Sequence, residues 1–279
     1  MDRSWEHFTQ RIHSDPVEVK DKYMSNVSGK TIVITGGSRG IGEATARHFA
    51  GLGATVVIAA RSETRLQGVV ADICKSGGRA IAVACDLSKA VAARGLIETA
   101  VAETGRLDVL VNNAGVINPI ARLADIDPAA WGSVVDINLK GVYHGLRFAI
   151  PEMVARGGGT IINISSGAAT SALEGWSHYC ATKAAVLSLT RVADKEYRES
   201  GVRVIGLSPG TVSTDMQVQI KASGINPVSQ LDPGAHIPPE WVARAIVWLV
   251  GAEADPYRGG DFSLKTKQGR EAVGLDLAG

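Results

Sequence analysis

The sequence predicts an α/β chain built on a doubly wound, mainly parallel sheet of about seven strands. Two observations carry this. From residue 31 onward, short near-continuous apolar runs alternate with longer amphipathic stretches, and apolar runs of that kind are parallel strands buried on both faces. The first run also ends in a glycine-rich turn that leads straight into a helical stretch, a unit from which such sheets are assembled.

The strands expected in order are Thr31–Thr35, Thr55–Ala59, Ala80–Cys85, Leu107–Val111, Thr160–Ile164, Val202–Leu207 and a weaker Asp261–Leu264. Helices are expected near 41–51, 62–76, 88–104, 127–155, 178–198 and 239–250. No repeat, low-complexity block or linker interrupts the alternation, so residues 29–279 read as one domain. Residues 1–28 are polar and stand outside it. They read as an extension, either a disordered arm or a helix on a partner subunit, unless translation starts at Met24. Residues 213–238, with Pro227, Pro233 and Pro238 and no strong period, read as a long loop or lid.

Composition narrows the function. The 279 residues carry 29 Lys and Arg against 28 Asp and Glu, a net charge of +1, which gives no electrostatic reason for a nucleic-acid or anionic-membrane partner. Three cysteines, an odd number without a C-x-x-C pair, argue against a disulfide framework and for a reducing compartment. Six scattered histidines show no metal-ligand spacing, so no metal is expected. No apolar run approaches membrane-span length, and the N-terminus lacks the apolar stretch of a signal peptide. The expected location is the cytoplasm.

The turn Thr35-Gly36-Gly37-Ser38-Arg39-Gly40-Ile41-Gly42 lies between the first strand and the first helix. Glycines there permit a tight turn, let the backbone approach a pyrophosphate, and aim helix N-terminal N–H groups at an anion. An acidic residue at the tip of the second strand would bind the ribose 2′-OH of NAD. That strand ends Ile58-Ala59-Ala60-Arg61 instead. Arg61 and Arg39 are therefore expected to converge on a 2′-phosphate, which favours NADP(H), with NAD(H) as the alternative and nearby Glu63 as the complication.

Tyr179 and Lys183 are four apart on an expected helix and share a face. An ammonium beside a phenol favours phenolate, lowering its pKa toward working pH, so the phenol can serve as acid or base on an alcohol/carbonyl pair. Y-x-x-x-K also recurs by chance on exposed helices. Ser166 adds to it, because it follows the fifth strand, and open α/β sheets place ligands at the carboxyl ends of strands.

With these residues in view, the chain resembles the short-chain dehydrogenases/reductases, in their short single-domain branch. The matching stretches are TGGSRGIG (35–42), Asp86-Leu87, NNAG (112–115) and DINLKG around Asn138, followed by NISSGAA around Ser166, YCATK (179–183) and SPGTVSTDM (208–216). Ser166 precedes Tyr179 by thirteen residues, the family's usual spacing. The resemblance implies a Rossmann-type three-layer fold. It implies Tyr179 as catalytic acid/base and Ser166 as hydrogen-bond donor to the substrate oxygen. Lys183 would lower the tyrosine pKa and bind the nicotinamide ribose, and Asn138 would hold a water of a proton relay. Gly36, Ser38, Arg39 and Ile41 would line the pyrophosphate and adenosine phosphate. Asp86 and Leu87 would flank adenine, Asn112 the adenosine ribose, Val212 the nicotinamide carboxamide and Thr214 the pyrophosphate.

The activity so implied is hydride transfer between a nicotinamide and a carbonyl or secondary alcohol of a small molecule. Alternatives are a 3-oxoacyl-thioester reductase, for which no cationic docking patch stands out, and a non-catalytic dinucleotide sensor or scaffold. The last strand runs Gly260-Asp261-Phe262-Ser263-Leu264 into Lys265, where the family usually has Asp-Gly-Gly. A homo-oligomer, tetramer or dimer, is implied by the family, and the tail 265–279 departs from its pattern. Ile117–Ile120, Gly167–His178 and the loop after Met216 are expected to border the substrate. Leu173 and Trp176 would form an apolar wall, with His178 a surface or packing residue.

Overall fold

A computed structural model describes residues 26–275. Its sheet has seven strands in the order β3-β2-β1-β4-β5-β6-β7: β1 Thr31–Thr35, β2 Thr55–Ala60, β3 Arg79–Ala84, β4 Val109–Asn112, β5 Gly159–Ile164, β6 Val202–Ser208 and β7 Asp261–Ser263. Every pairing is parallel, with Ile34 of β1 opposite Ile58 on one side and Val111 on the other. The helices are α1 Gly40–Gly51, α2 Glu63–Lys75, α3 Ala90–Thr104, α4 Pro128–Val135, α5 Gly141–Ala155, α6 Ser177–Tyr197, α7 Asp215–Ser223, α8 Pro239–Val250 and α9 Lys267–Ala272.

The period of two sorts the strand side chains into two cores. Ile32, Ile34, Val56, Ile58, Val111, Ile162 and Leu207 pack with α1, α2 and α8 on one face. Val33, Val57, Leu110, Ile161 and Val204 pack with α3, α5 and α6 on the other. Both faces are covered, so the strands read as continuous apolar runs. Local signals fix the helix ends. Asp127 caps α4 by accepting from Ala130 N at 2.9 Å, with Pro128 at its first position, and Gly105, at φ 75, ends α3.

Three expectations change. The helix expected over 127–155 is broken at Asp136–Lys140 into a π-helical turn that contains Asn138; such turns are frequent at functional sites. The loop expected over 213–238 contains α7. Only Ile220 of that helix is buried, so it has no apolar period to read. Val27 is fully buried in the core, so the packed domain begins before residue 29. Residues 1–25 of the expected extension lie outside the described residues, as do residues 276–279 of the tail. The nearer part of the tail forms α9, capped by Thr266 Oγ1 accepting from Gly269 N at 3.0 Å.

Candidate active site

The sheet order reverses between β1 and β4, and a cleft of about 880 Å³ opens over the carboxyl ends of the strands, where doubly wound sheets bind ligands. At one end lies the turn after β1. Gly36 has φ 67, and a Cβ there would stand 3.0 Å from Ala114 Cα; a Cβ on Gly42 would stand 2.2 Å from Gly36 O. Only bare backbone fits. Arg39, the N-cap of α1, makes no side-chain cap, which leaves the helix's first N–H groups for an anion. Asn113 holds the turn from β4, its Nδ2 donating to Thr35 O at 2.9 Å and Gly36 O at 3.2 Å. This uncapped, side-chain-free cradle fits a dinucleotide pyrophosphate.

Gly36, Ser38, Arg39, Ile41, Arg61, Asp86, Leu87, Val212 and Thr214 all line this cleft. Asn112 does not. Its side chain turns inward, 2% exposed, and Nδ2 donates to Asn163 Oδ1 at 2.9 Å; Asn113, Ala114 and Gly115 face the cleft in its place. Arg39 Nη1 donates to Asp215 Oδ2 at 2.6 Å, an exposed pair. Arg65 joins Arg39 and Arg61 on the lining. It lies in the first turn of α2, four residues beyond Arg61, and that proximity was its only signal in the sequence. Hydrogen bonds from Ser88 hold the Asp86 carboxyl below the usual range.

Ser166, Tyr179 and Lys183 meet at the other end. Tyr179 projects from α6 into an apolar cluster with Ile117, Ala168, Trp176 and Ile220. The Trp176 ring meets it edge-on, centroids 5.6 Å apart. Burial pushes the phenol up to about 12, and a hydrogen bond with Ser166 opposes that rise. Lys183 Nζ donates to Ile164 O at 2.6 Å and stands 5.6 Å from the centre of the Tyr179 ring. Burial pushes the ammonium down to about 8, with Asp261 acting against it. The expected lowering of the phenol by lysine is therefore overridden in the protein alone. Desolvation of the buried ring outweighs the opposing Ser166 hydrogen bond and holds the phenol above its ordinary value.

Asn138 stands behind this group, 1% exposed and off the cleft lining. His178 is fully buried. Its Nδ1 accepts from Tyr179 N at 2.6 Å, which leaves the ring proton on Nε2 to donate to Pro119 O at 2.6 Å; it is a packing residue. Ile117, Asn118, Gly167, Leu173, Trp176 and Ile220 line the cleft around Ser166 and Tyr179. Among the described residues no helix is long and apolar enough to cross a membrane, and no group of three His, Cys, Asp or Glu could hold a metal.

Residues 30–224 match the family model for short chain dehydrogenases. The chain is 38% identical over 226 residues to a cis-4-hydroxycyclohexanecarboxylate dehydrogenase of Sinomonas cyclohexanicum, covering 81% of this chain and 90% of that one. It is 37% identical over 236 residues to a 3-oxoacyl-[acyl-carrier-protein] reductase of Synechocystis, covering 84% and 94%. A crystal structure of a short-chain type dehydrogenase/reductase from Mycobacterium marinum superimposes with a TM-score of 0.80 at 31% identity, covering 88% of this chain and 96% of that one. With the seven-stranded parallel sheet and the cleft at its switch point, these matches establish that the chain belongs to the short-chain dehydrogenase family, oxidoreductases of alcohol and carbonyl substrates.

Proposed function

We propose that this protein interconverts a secondary alcohol and a ketone with NADP(H), using Tyr179 as the acid/base. The observation that carries the reading is the meeting of Ser166, Tyr179 and Lys183 at one end of a cleft whose other end is the glycine turn. A bound nicotinamide would supply or accept the hydride. The phenol, kept protonated by burial, is set to protonate the oxygen of a ketone as it is reduced. Ser166 offers a second donor where negative charge develops. Lys183 supports the phenolate left behind and would reach the nicotinamide ribose. The apolar cluster around Tyr179 keeps water from the reacting atoms.

Arg39, Arg61 and Arg65 on the adenosine side support NADP(H), because planar guanidinium groups match a phosphate. A homo-oligomer in the cytoplasm is the matching setting, supported by the family and by three unpaired cysteines. The 3-oxoacyl reductase among the relatives favours a thioester substrate as a second reading.

Titration of the purified protein with NADPH and NADH, followed by a panel of ketones and secondary alcohols, tests the proposal. Tighter NADPH binding and turnover of a panel member are expected. Equal affinity for NADH would overturn the cofactor reading, and binding without turnover would return the chain to a sensor role.

A further inference from the structure

Lys265 follows β7 directly, at the point where the strand departs from the family's usual Asp-Gly-Gly. Its side chain lies over the substrate end of the cleft. The stem crosses Gly210, where an added Cβ would meet Lys265 Cγ at 3.3 Å, and the ammonium rests against Gly167, where an added Cβ would meet Nζ at 3.3 Å. Gly167 is the residue after Ser166. The backbone beneath is pinned: Lys265 N donates to Ser263 Oγ at 3.2 Å, and Lys265 O accepts from Arg270 Nη1 at 2.9 Å.

This cation has no carboxylate partner among the described residues. The cleft is lined by two acidic residues, Asp86 and Asp215, and both belong to the dinucleotide end; Asp215 is paired with Arg39. The nearest acidic residue along the strand, Asp261, accepts from Ser208 Oγ at 2.6 Å and Ser165 Oγ at 3.3 Å and acts on Lys183. The same cleft carries an apolar lining of Leu173, Trp176, Ile220 and Val228. Lys265 itself is exposed at the cleft, so its ammonium is open to an incoming anion and acts as a solvent-screened charge.

We infer that the substrate of the proposed reaction is a small hydroxy or oxo acid whose carboxylate is held by Lys265 while Ser166 and Tyr179 hold the reacting oxygen. A single point charge, without a guanidinium fork or a helix N-terminus beside it, suits a monoanionic carboxylate better than a phosphate. Consecutive Cα atoms are about 3.8 Å apart, so the carboxylate of a ligand spanning Ser166 and Gly167 lies within a few bonds of the reacting carbon. In oxidation a bound nicotinamide would accept the hydride as the carbinol C–H bond breaks, and Tyr179, having first released its own proton to solvent, would take the hydroxyl proton as phenolate, with the carboxylate unchanged. Lys265 is thus a specificity residue rather than a catalytic one.

The inference rests on the proposed reaction, and one experiment separates the two. Full-length protein with saturating oxidised dinucleotide is assayed on secondary hydroxy acids, including 4-hydroxycyclohexanecarboxylate, each beside its neutral carboxamide. The acids should exceed their amides in kcat/KM by up to about fivefold, as an exposed charge pair would give. Lys265→Ala should erase that ratio chiefly through KM, and Lys265→Arg should keep it. Thermal-shift titration with cyclohexanecarboxylate should saturate for the wild type and weaken by up to about fivefold in Lys265→Ala. Turnover with equal rates on acids and amides, or an acid preference that survives in Lys265→Ala, overturns this inference and leaves the reaction standing. Dinucleotide binding with no turnover of any alcohol overturns both.

Discussion

Asn138 and Val116 are locked to each other by two hydrogen bonds: Val116 N donates to Asn138 Oδ1 at 2.8 Å, and Asn138 Nδ2 donates to Val116 O at 2.8 Å. The amide acts as a piece of strand pairing for the segment that leaves β4, and Nδ2 also reaches Thr182 Oγ1 at 3.5 Å. The π-turn of Asp136–Lys140 thus ties the β4 loop to the helix that carries Tyr179 and Lys183. Asn138→Ala should cost about 1–3 kcal/mol, the usual penalty for stranding buried polar partners. Asn138→Asp should recover little, because a carboxylate cannot donate to Val116 O. Urea midpoints of the three proteins check this; a wild-type midpoint in Asn138→Ala would remove the clamp.

Tyr179→Phe keeps the ring in its apolar cluster and deletes only the proton donor. Turnover should fall by at least about a hundredfold, with dinucleotide affinity near that of wild type. Steady-state kinetics beside a fluorescence titration separates the two effects, and near-normal turnover would end the acid/base assignment.

Lys183 gives a pH signature. Its folded pKa of about 8 lies below the unfolded value of 10.5. Between those values the unfolded chain binds more protons, so this group makes stability rise with pH. Its destabilising contribution is fully present below about pH 8 and is relieved as the pH climbs toward 10.5. The stability difference between wild type and Lys183→Met should therefore move in favour of wild type across that window. Denaturant midpoints from pH 7 to 10.5 measure it, and a pH-independent difference would show that the ammonium is not desolvated.

Gly42→Ala places a methyl 2.2 Å from Gly36 O, a backbone atom that cannot turn aside. Overpacking of this kind costs about 1–3 kcal/mol, and here it opens the phosphate turn as well. Both Tm and dinucleotide affinity should drop. Gly51→Ala, at the end of the same helix with nothing within 4 Å of the added carbon, should leave both unchanged. Equal behaviour of the two variants would argue against a cradle.

Asp215 partly neutralises Arg39 across an exposed contact of 2.6 Å. Exposed pairs contribute up to about 1 kcal/mol, so Asp215→Asn should tighten NADPH binding by no more than about fivefold and leave NADH binding unmoved. Parallel titrations read the ratio; equal tightening for both cofactors would place Arg39 away from the 2′-phosphate.

Much of the site was legible because its signals are local. The turn from Gly36 to Gly42 needs bare backbone, and the four-residue spacing of Tyr179 and Lys183 follows from helix geometry. Asn112 misled because neighbouring residues of a strand point to opposite faces. The pair Asn112-Asn113 gives no indication of which side chain looks inward, and the choice falls to Asn163, which bonds Asn112 across to β5. α7 was hidden for a related reason, since a helix with one buried residue carries no period.

The sequence by itself determined the parallel sheet, the glycine cradle and the shared helix face of Tyr179 and Lys183, all consequences of periodicity and backbone sterics over short stretches. Tertiary structure alone decided the ionisation of those side chains. Tyr179 and Lys183 share a helix face in any setting, but only burial, of Tyr179 against Ile117, Trp176 and Ile220 and of Lys183 at Ile164 O, removes the water that would stabilise their charged forms. It also decided that Lys265, some eighty residues beyond Lys183, stands at the same pocket. Desolvation and long-range charge depend on which distant segments meet, and that is fixed only once the sheet has closed.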